Sequence, residues 1–331
     1  MNKNNKIRAF INEASKYACL LVLVITFIFA GLLAPNFFTE LNIMNILKQS
    51  SVVCTVAIGM GIILVSGCMD MTVGVNMAIC AIVCMYSQTV MSVTYSIVLT
   101  LLVGLLISLI NFSVVTITKA DATDIMMITF GLKMAYRGIA QFVTGNVTYR
   151  FEMNQLFNNV GKGQTGFIPN IAIVMIVLLI IVAIIMSFTK FGREVICIGN
   201  NIEASELSGI ESNKVRLKCF IISGICCAIA GILLASRTQS VNALSGDGYE
   251  MDAMCGLIIG GYSVSGGYGN AWRAIVGVFV YSSIKNVLNL LGVSSYGQEL
   301  AQGIILLIAV WIDIYIKGKK LKIGDTLNEK N

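Results

Sequence analysis

Long apolar runs broken by short polar stretches fill the chain between residues 18 and 316. A helix needs about 20 predominantly apolar residues to cross the hydrocarbon core of a bilayer, with a range of about 17 to 25. Against that length the pattern predicts ten spans, at 18–34, 51–66, 72–91, 95–117, 124–144, 171–188, 217–236, 251–264, 271–291 and 299–316. The expected fold class is all-α, a polytopic membrane protein in which residues 1–331 form a single transmembrane domain. The second and eighth spans are short. Both run into glycine-rich stretches, Ser66-Gly67-Cys68-Met69-Asp70-Met71-Thr72-Val73-Gly74 and Ser263-Val264-Ser265-Gly266-Gly267-Tyr268-Gly269. Broken or re-entrant segments are the competing description there, because irregular backbone is tolerated at membrane depth where protein covers it.

Charge placement tests the count, since lysine and arginine concentrate on the cytoplasmic side. With ten spans and the N-terminus inside, the inner segments hold Lys3, Lys6, Arg8 and Lys16; Lys119; Lys190, Arg193, Lys214, Arg216 and Lys218; Arg273; and Lys317, Lys319, Lys320, Lys322 and Lys330. The outer loops keep only Lys48, Arg150, Lys162 and Arg237. An odd number of spans before residue 189 would put the basic residues of the 189–216 loop outside. Both termini are therefore expected in the cytoplasm, as tails at 1–17 and 317–331. The basic N-terminus followed by the apolar run Cys19 to Leu33 looks like a secretory signal, but no small-residue cleavage site follows and further spans do, so an uncleaved first helix is expected. The longest outer connection, 145–170, is polar and too short for a domain of its own. The two prolines, Pro35 and Pro169, fall at span edges, where a missing N–H costs least.

Composition narrows the chemistry. Of 331 residues 56% are hydrophobic and 12% charged, with a mean hydropathy of +0.83. A soluble domain carries about 25% charged residues, so an ordinary soluble enzyme is excluded. The chain has no histidine, which removes the commonest general base and a frequent transition-metal ligand. Its ten cysteines lie mostly in apolar runs without a CxxC pair, and are expected to be buried thiols acting as small hydrophobes. The sixteen methionines are expected to fill the core. The net charge of +6 comes from clusters flanking the spans, so no nucleic-acid partner is expected. No GxxxxGK[ST] phosphate loop occurs. The chain is therefore expected to hydrolyse no ATP itself, to be no enzyme, and to bind no cofactor or metal.

The loop from Thr189 to Arg216 carries the most local information. Asn200-Asn201-Ile202-Glu203 has the pattern of a helix start, with Asn200 able to cap and Glu203 placed to reach back, and Gly209 can close the helix. About two turns are too short to be stable alone in water, so the helix needs a protein surface to dock on. Leu207 and Ile210 offer apolar contacts, and Glu203 and Glu206 can meet basic groups. A plain connector is the alternative.

Glu203-Ala204-Ser205-Glu206-Leu207-Ser208-Gly209-Ile210 resembles the EAA-type loop of ATP-binding-cassette importer permeases, in the form found in the ribose and simple-sugar branch. The stretch from Ser66 to Gly74 resembles that branch's SGGIDLSVG segment. Gly246-Asp247-Gly248-Tyr249-Glu250-Met251-Asp252-Ala253 resembles its GxGYELDAIA segment, and Gly260-Gly261 with Ser265-Gly266-Gly267-Tyr268-Gly269 its GGTSLxGGxG segment. Asn286 to Tyr296 completes the series, in the family's order, over residues 40 to 316. Cys68 and Ser205 depart from the pattern, and Lys133 and Lys285 add charge where neutral residues are expected.

The resemblance implies the permease subunit of an importer. Two permease copies, here a homodimer, would form the channel in the lipid of a bacterial plasma membrane. Cassette ATPase subunits inside would use ATP and Mg, and an extracytoplasmic sugar-binding protein would deliver a monosaccharide, ribose or a similar sugar. Asn200, Glu203, Ala204, Ser205, Glu206 and Gly209 would then couple the permease to the ATPase. An ion-coupled secondary transporter is the alternative. It would explain spans and buried charges without a partner, but not the loop, and no carboxylate chain for a proton relay stands out.

Charges inside spans cost about 2.5–3.5 kcal/mol each at a helix centre and so mark functional candidates. Arg137, with Lys133 one turn earlier, lies in the fifth predicted span. Asp70 follows the second, Glu250 and Asp252 precede the eighth, and Lys285 with Asn286 and Asn289 occupies the ninth. These residues either line a translocation path or pair internally, for example Arg137 or Lys285 with Asp252, and pairing is favoured for the charges. Asp70 can equally cap a helix. Asn286 and Asn289 share a face and suit a path in which neutral groups replace the water contacts of a sugar. Gly256-Leu257-Ile258-Ile259-Gly260 is a GxxxG expected to pack helices within the chain.

Overall fold

A computed structural model describes residues 20–118, 120–150, 154–308 and 310–311. The expected tails at 1–17 and 317–331, Lys119 and the end of the tenth predicted span lie outside the described residues. Among the described residues each predicted span overlaps a helix. These are α1 (Leu20–Leu33), α2 (Glu40–Val65), α3 (Val73–Ser87), α4 (Val93–Ile117), α5 (Ala122–Thr144), α7 (Asn170–Phe188), α10 (Ser212–Thr238), α11 (Tyr249–Ile259), α12 (Ala271–Leu290) and α13, which begins at residue 295. Between them lie α6 (Gln155–Lys162) in the outer connection, and α8 (Lys190–Asn200) and α9 (Ile202–Leu207) in the loop predicted to face the cytoplasm. Helices α2, α4, α7 and α10 are long and apolar enough to cross a membrane by themselves; α1 and α3 are apolar but shorter.

Burial separates the long helices into two kinds. The most apolar window is 83% buried in α2 and 78% in α10, against 28% in α4 and 33% in α7. The first pair is therefore the centre of the bundle, and the second leaves most of its surface uncovered by the rest of the chain. Small residues let α10 occupy the centre. A Cβ on Gly59 of α2 would lie 2.7 Å from Cys226 Cβ, one on Gly104 of α4 would lie 2.9 Å from the Gly224 carbonyl, and one on Gly231 would lie 2.7 Å from the Met77 carbonyl of α3. With no hydrophobic drive between helices in lipid, such close approach supplies the packing energy. It also accounts for Cys219, Cys226 and Cys227, which are fully buried as small apolar side chains. Gly256 and Gly260 bring α11 onto Val278, Arg273 and Ala274 of α12, so the GxxxG packs within the chain.

Helices α3 and α11 are too short to span. At about 1.5 Å per residue, the 11 residues of α11 cover roughly half of the hydrocarbon core, and the 15 of α3 about three quarters of it. Each follows a long central helix after an irregular stretch, 66–72 before α3 and 239–248 before α11. Their N-terminal ends meet inside the bundle. A Cβ on Gly74, in the first turn of α3, would run into Glu250 and lie 2.5 Å from the Gly246 carbonyl. The outer connection is tied down by antiparallel pairing of β1 (Tyr149–Arg150) with β4 (Ser240–Val241), and by α6, whose Phe157 is buried against α10. A short hairpin of β2 (Gln164–Thr165) and β3 (Ile168–Pro169) leads into α7.

Candidate functional site

The α8–α9 elbow is built differently from the sequence expectation. The N-cap of α9 is Asn201, not Asn200: the Ala204 N–H donates to Asn201 Oδ1 at 2.9 Å. Asn200 ends α8 and turns away, donating through Nδ2 to the Ile196 carbonyl at 2.8 Å and the Gly267 carbonyl at 3.3 Å. Glu203 is thus one residue too early to reach back to the cap. It stands exposed in the first turn, where a negative charge suits the helix dipole.

The far end of α9 is closed as expected. Gly209 takes φ +84°, its N–H donates to the Glu206 carbonyl at 2.9 Å, and the Ile210 N–H donates to the Ser205 carbonyl at 3.0 Å. This is a Schellman closure, which needs a left-handed residue at that position. Ser205 is buried under the helix and donates its hydroxyl to the Asn201 carbonyl at 2.7 Å, while Ala204 is exposed. The Glu206 carboxylate accepts from the Ser212 hydroxyl, bracing α9 on the first turn of α10. Ile210 packs on the core, whereas Leu207 is 91% exposed. The result is a short helix stopped at both ends, fixed on one side and presenting a bare leucine on the other.

The buried charges form two clusters around α11. On one side Lys285 reaches Asp252 at 2.7 Å, and Asp252 Oδ1 also accepts from Tyr281 Oη at 2.8 Å and Gln302 Nε2 at 3.1 Å. On the other, Lys133 of α5 bonds Glu250 and lies 3.5 Å from Asp247, which Arg137 meets at 3.2 Å. Arg137 therefore faces Asp247 rather than Asp252. Asp247, between two glycines in a stretch already rich in acids, was the residue the sequence reasoning missed; Tyr281, Gln302 and Asn42 carried no comparable signal.

Asp70 is 1% exposed and holds the start of α3: its Oδ1 accepts from the Thr72 N–H at 2.8 Å and the Thr72 hydroxyl at 2.7 Å. The polar chain continues as Asn111 Nδ2 donates to Thr72 Oγ1 at 2.6 Å and Tyr136 Oη donates to Asn111 Oδ1 at 2.9 Å. Asn286 exchanges amide hydrogen bonds with Asn42 of α2, at 2.9 and 3.0 Å. Asn289 is exposed. The asparagine pair is thus divided between a helix contact and the surface.

Below the Lys133 cluster lies a cavity of 360 Å³ lined by Met69, Met71, Met126, Met127, Phe130, Met251, Met254 and Leu306. Residues 126, 130, 133 and 137 recur at helical spacing along one face of α5, so thioethers and an aromatic ring give way to two cations along it.

Long apolar helices around a charged interior, with a capped helix projecting from the bundle, are the architecture of an integral membrane protein. The chain belongs to the family described as branched-chain amino acid transport system / permease component, whose profile matches residues 42–310. It is 32% identical over 322 residues to the ribose import permease protein RbsC of Haemophilus influenzae, covering 96% of this chain and 98% of that one. It is 33% identical over 299 residues to RbsC of Bacillus subtilis (90% and 92% covered), and 30% identical over 304 residues to the L-arabinose transport system permease protein AraH of Escherichia coli (91% and 90%). No solved structure matches it. The chain is accordingly a multi-pass protein of the plasma membrane.

Proposed function

We propose that this chain is the transmembrane subunit of an ATP-binding-cassette importer for a monosaccharide, ribose or a sugar like it, crossing the membrane ten times with both termini in the cytoplasm. A separate cassette ATPase, using ATP and Mg, drives it, and an extracytoplasmic binding protein delivers the sugar. The relatives named for ribose and arabinose support the sugar class. The observation that carries the reading is α9: a six-residue helix, capped by Asn201, closed at Gly209 and braced by Glu206, that leaves Leu207 uncovered. A helix this short is marginal in water, and an exposed leucine at its tip fits a cleft in a partner protein.

The translocation path runs along the α5 face from the methionine-lined cavity to the Lys133–Arg137 cluster, and a second copy of the chain forms the opposite wall. Charges already paired with Asp247, Glu250 and Asp252 hold the helices without binding a neutral sugar tightly. The test is reconstitution in vesicles with its cassette ATPase and binding protein. ATP-driven uptake of labelled ribose is expected; uptake that follows an ion gradient and ignores ATP would identify a secondary transporter instead.

A further inference from the structure

The two glycine-rich stretches and the end of α8 meet at one point, with backbone against backbone. The Gly267 N–H donates to the Val65 carbonyl at 2.9 Å, where α2 ends. A Cβ on Gly199 of α8 would run into that same carbonyl and lie 2.6 Å from Gly267 N. One on Gly266 would lie 2.5 Å from Gly67 Cα and 3.1 Å from the Gly199 carbonyl. Asn200 closes the junction by its bond to the Gly267 carbonyl. On the inner face of α8, Val195 and Ile198 are buried, which seats the helix against the bundle.

This junction stands between the projecting helix and the charged interior. Helix α9 begins at Ile202, two residues after Asn200. From Gly67 the chain reaches Asp70 and the start of α3 within a few residues. From Gly267 it leads to Asn270, whose side chain caps α12 by accepting from the Trp272 N–H at 3.0 Å, and α12 carries Lys285. Side-chain contacts between helices can absorb a displacement by changing rotamers; backbone contacts at glycine have no such slack.

We propose that the Gly67–Gly199–Gly266–Gly267 junction, closed by Asn200, transmits movement of α9 to both glycine-rich stretches, 66–72 and 263–270, with Asn200 as a positioning residue. This rests on the importer reading above, since it needs an ATPase that moves α9. Displacement of α9 carries the end of α8, which drags 66–72 and 263–270 together and so shifts the start of α3 and α12 in concert.

The experiment measures labelled ribose taken up per ATP hydrolysed, in vesicles holding the complete complex at matched amounts. Asn200→Ala and Asn200→Asp both lose the donor to Gly267 and should lower the ratio roughly fivefold, the low end of coupling between sites. Gly199→Ala, which forces α8 off α2, should lower it about tenfold or more. Asn213→Ala, in the first turn of α10 and outside the junction, should leave it unchanged. If Gly199→Ala prevents assembly, the Asn200 variants decide. An unchanged ratio in both overturns the proposal, and so does a parallel fall of uptake, ATP hydrolysis and complex amount, which is what a merely structural residue gives. Wild-type vesicles without ATP-driven ribose uptake overturn the importer reading and the junction with it.

Discussion

Lys285 on α12 meets Asp252 on α11 at 2.7 Å, and the two partners are not equally placed: the lysine side chain is 33% exposed and the aspartate side chain 7%. Removing the lysine strands a buried carboxylate with only the neutral donors Tyr281 and Gln302. Removing the carboxylate leaves an ammonium that can rehydrate. Lys285→Met should therefore destabilise by about 3 kcal/mol, the low end for breaking a buried pair, and Asp252→Asn by less. The double variant should cost less than the sum by about 1 kcal/mol. Thermal unfolding in detergent, followed by tryptophan fluorescence, reads all three. Equal losses for the two single variants would contradict the asymmetry.

Lys133 and Arg137, one turn apart on α5, should likewise differ. Glu250, the partner of Lys133, has a side chain 2% exposed and lies against the first turn of α3. Lys133→Gln leaves it facing only the helix N-terminus and should cost about 3–5 kcal/mol. The Arg137–Asp247 pair is 33% and 42% exposed, so Arg137→Gln should cost at most about 1 kcal/mol. If the α5 face lines the path, Arg137→Gln changes uptake while leaving the melting temperature nearly in place.

The register of α9 gives a sharper test. Asn201→Ala removes the bond to the Ala204 N–H and should destabilise the helix by about 1 kcal/mol, seen as faster hydrogen exchange at Ala204. Asn200→Ala should leave that amide protected, because Asn200 bonds elsewhere. Equal exchange in the two variants would return the cap to Asn200.

That one-residue shift shows where sequence stops being informative. Two adjacent asparagines cap equally well in principle, and the choice was made by Gly267, which lies far along the chain and claims the first of them. The apolar runs were legible because each span is a local property of some 20 residues, and Gly209 because a left-handed helix stop has few alternatives. Helices α6 and α8 escaped notice because they are short and amphipathic, and their stability comes from packing on α10 and α2. The break before α3 is legible as the glycine-rich stretch 66–74, whereas the one before α11, at 239–248, is not, and neither is the meeting of Gly74 with Glu250. Likewise Asn286 reads from the sequence as a polar group in a span, yet its partner Asn42 lies ahead of the predicted second span. Helix α2 begins at Glu40, well before the apolar run that announced it.

Leu207 separates docking from folding. At 91% exposure it touches little within the chain, so Leu207→Asp should change stability by no more than about 0.5 kcal/mol. Co-purification with the ATPase should nevertheless be lost, because a carboxylate would enter an apolar contact. A variant that melts normally and still binds the ATPase would remove Leu207 from the interface.

Orientation can be decided with the protein's own thiols. Among the described residues Cys197 is the one exposed cysteine, on the outer side of α8, while Cys54, Cys68, Cys80, Cys84, Cys219, Cys226, Cys227 and Cys255 are buried and free. Alkylation needs an accessible thiolate, so in a Cys19→Ser background a membrane-impermeant maleimide should react with a single site, and Cys197→Ser should abolish the reaction. Cys197 lies four residues before the Asn201 cap of α9, so the side from which it is labelled is the side on which α9 stands. Labelling is expected in inside-out vesicles and not in right-side-out ones. The opposite result would put Lys190, Arg193, Lys214 and Arg216 outside, against the charge bias of membrane proteins, and would leave α9 no access to a cytoplasmic ATPase.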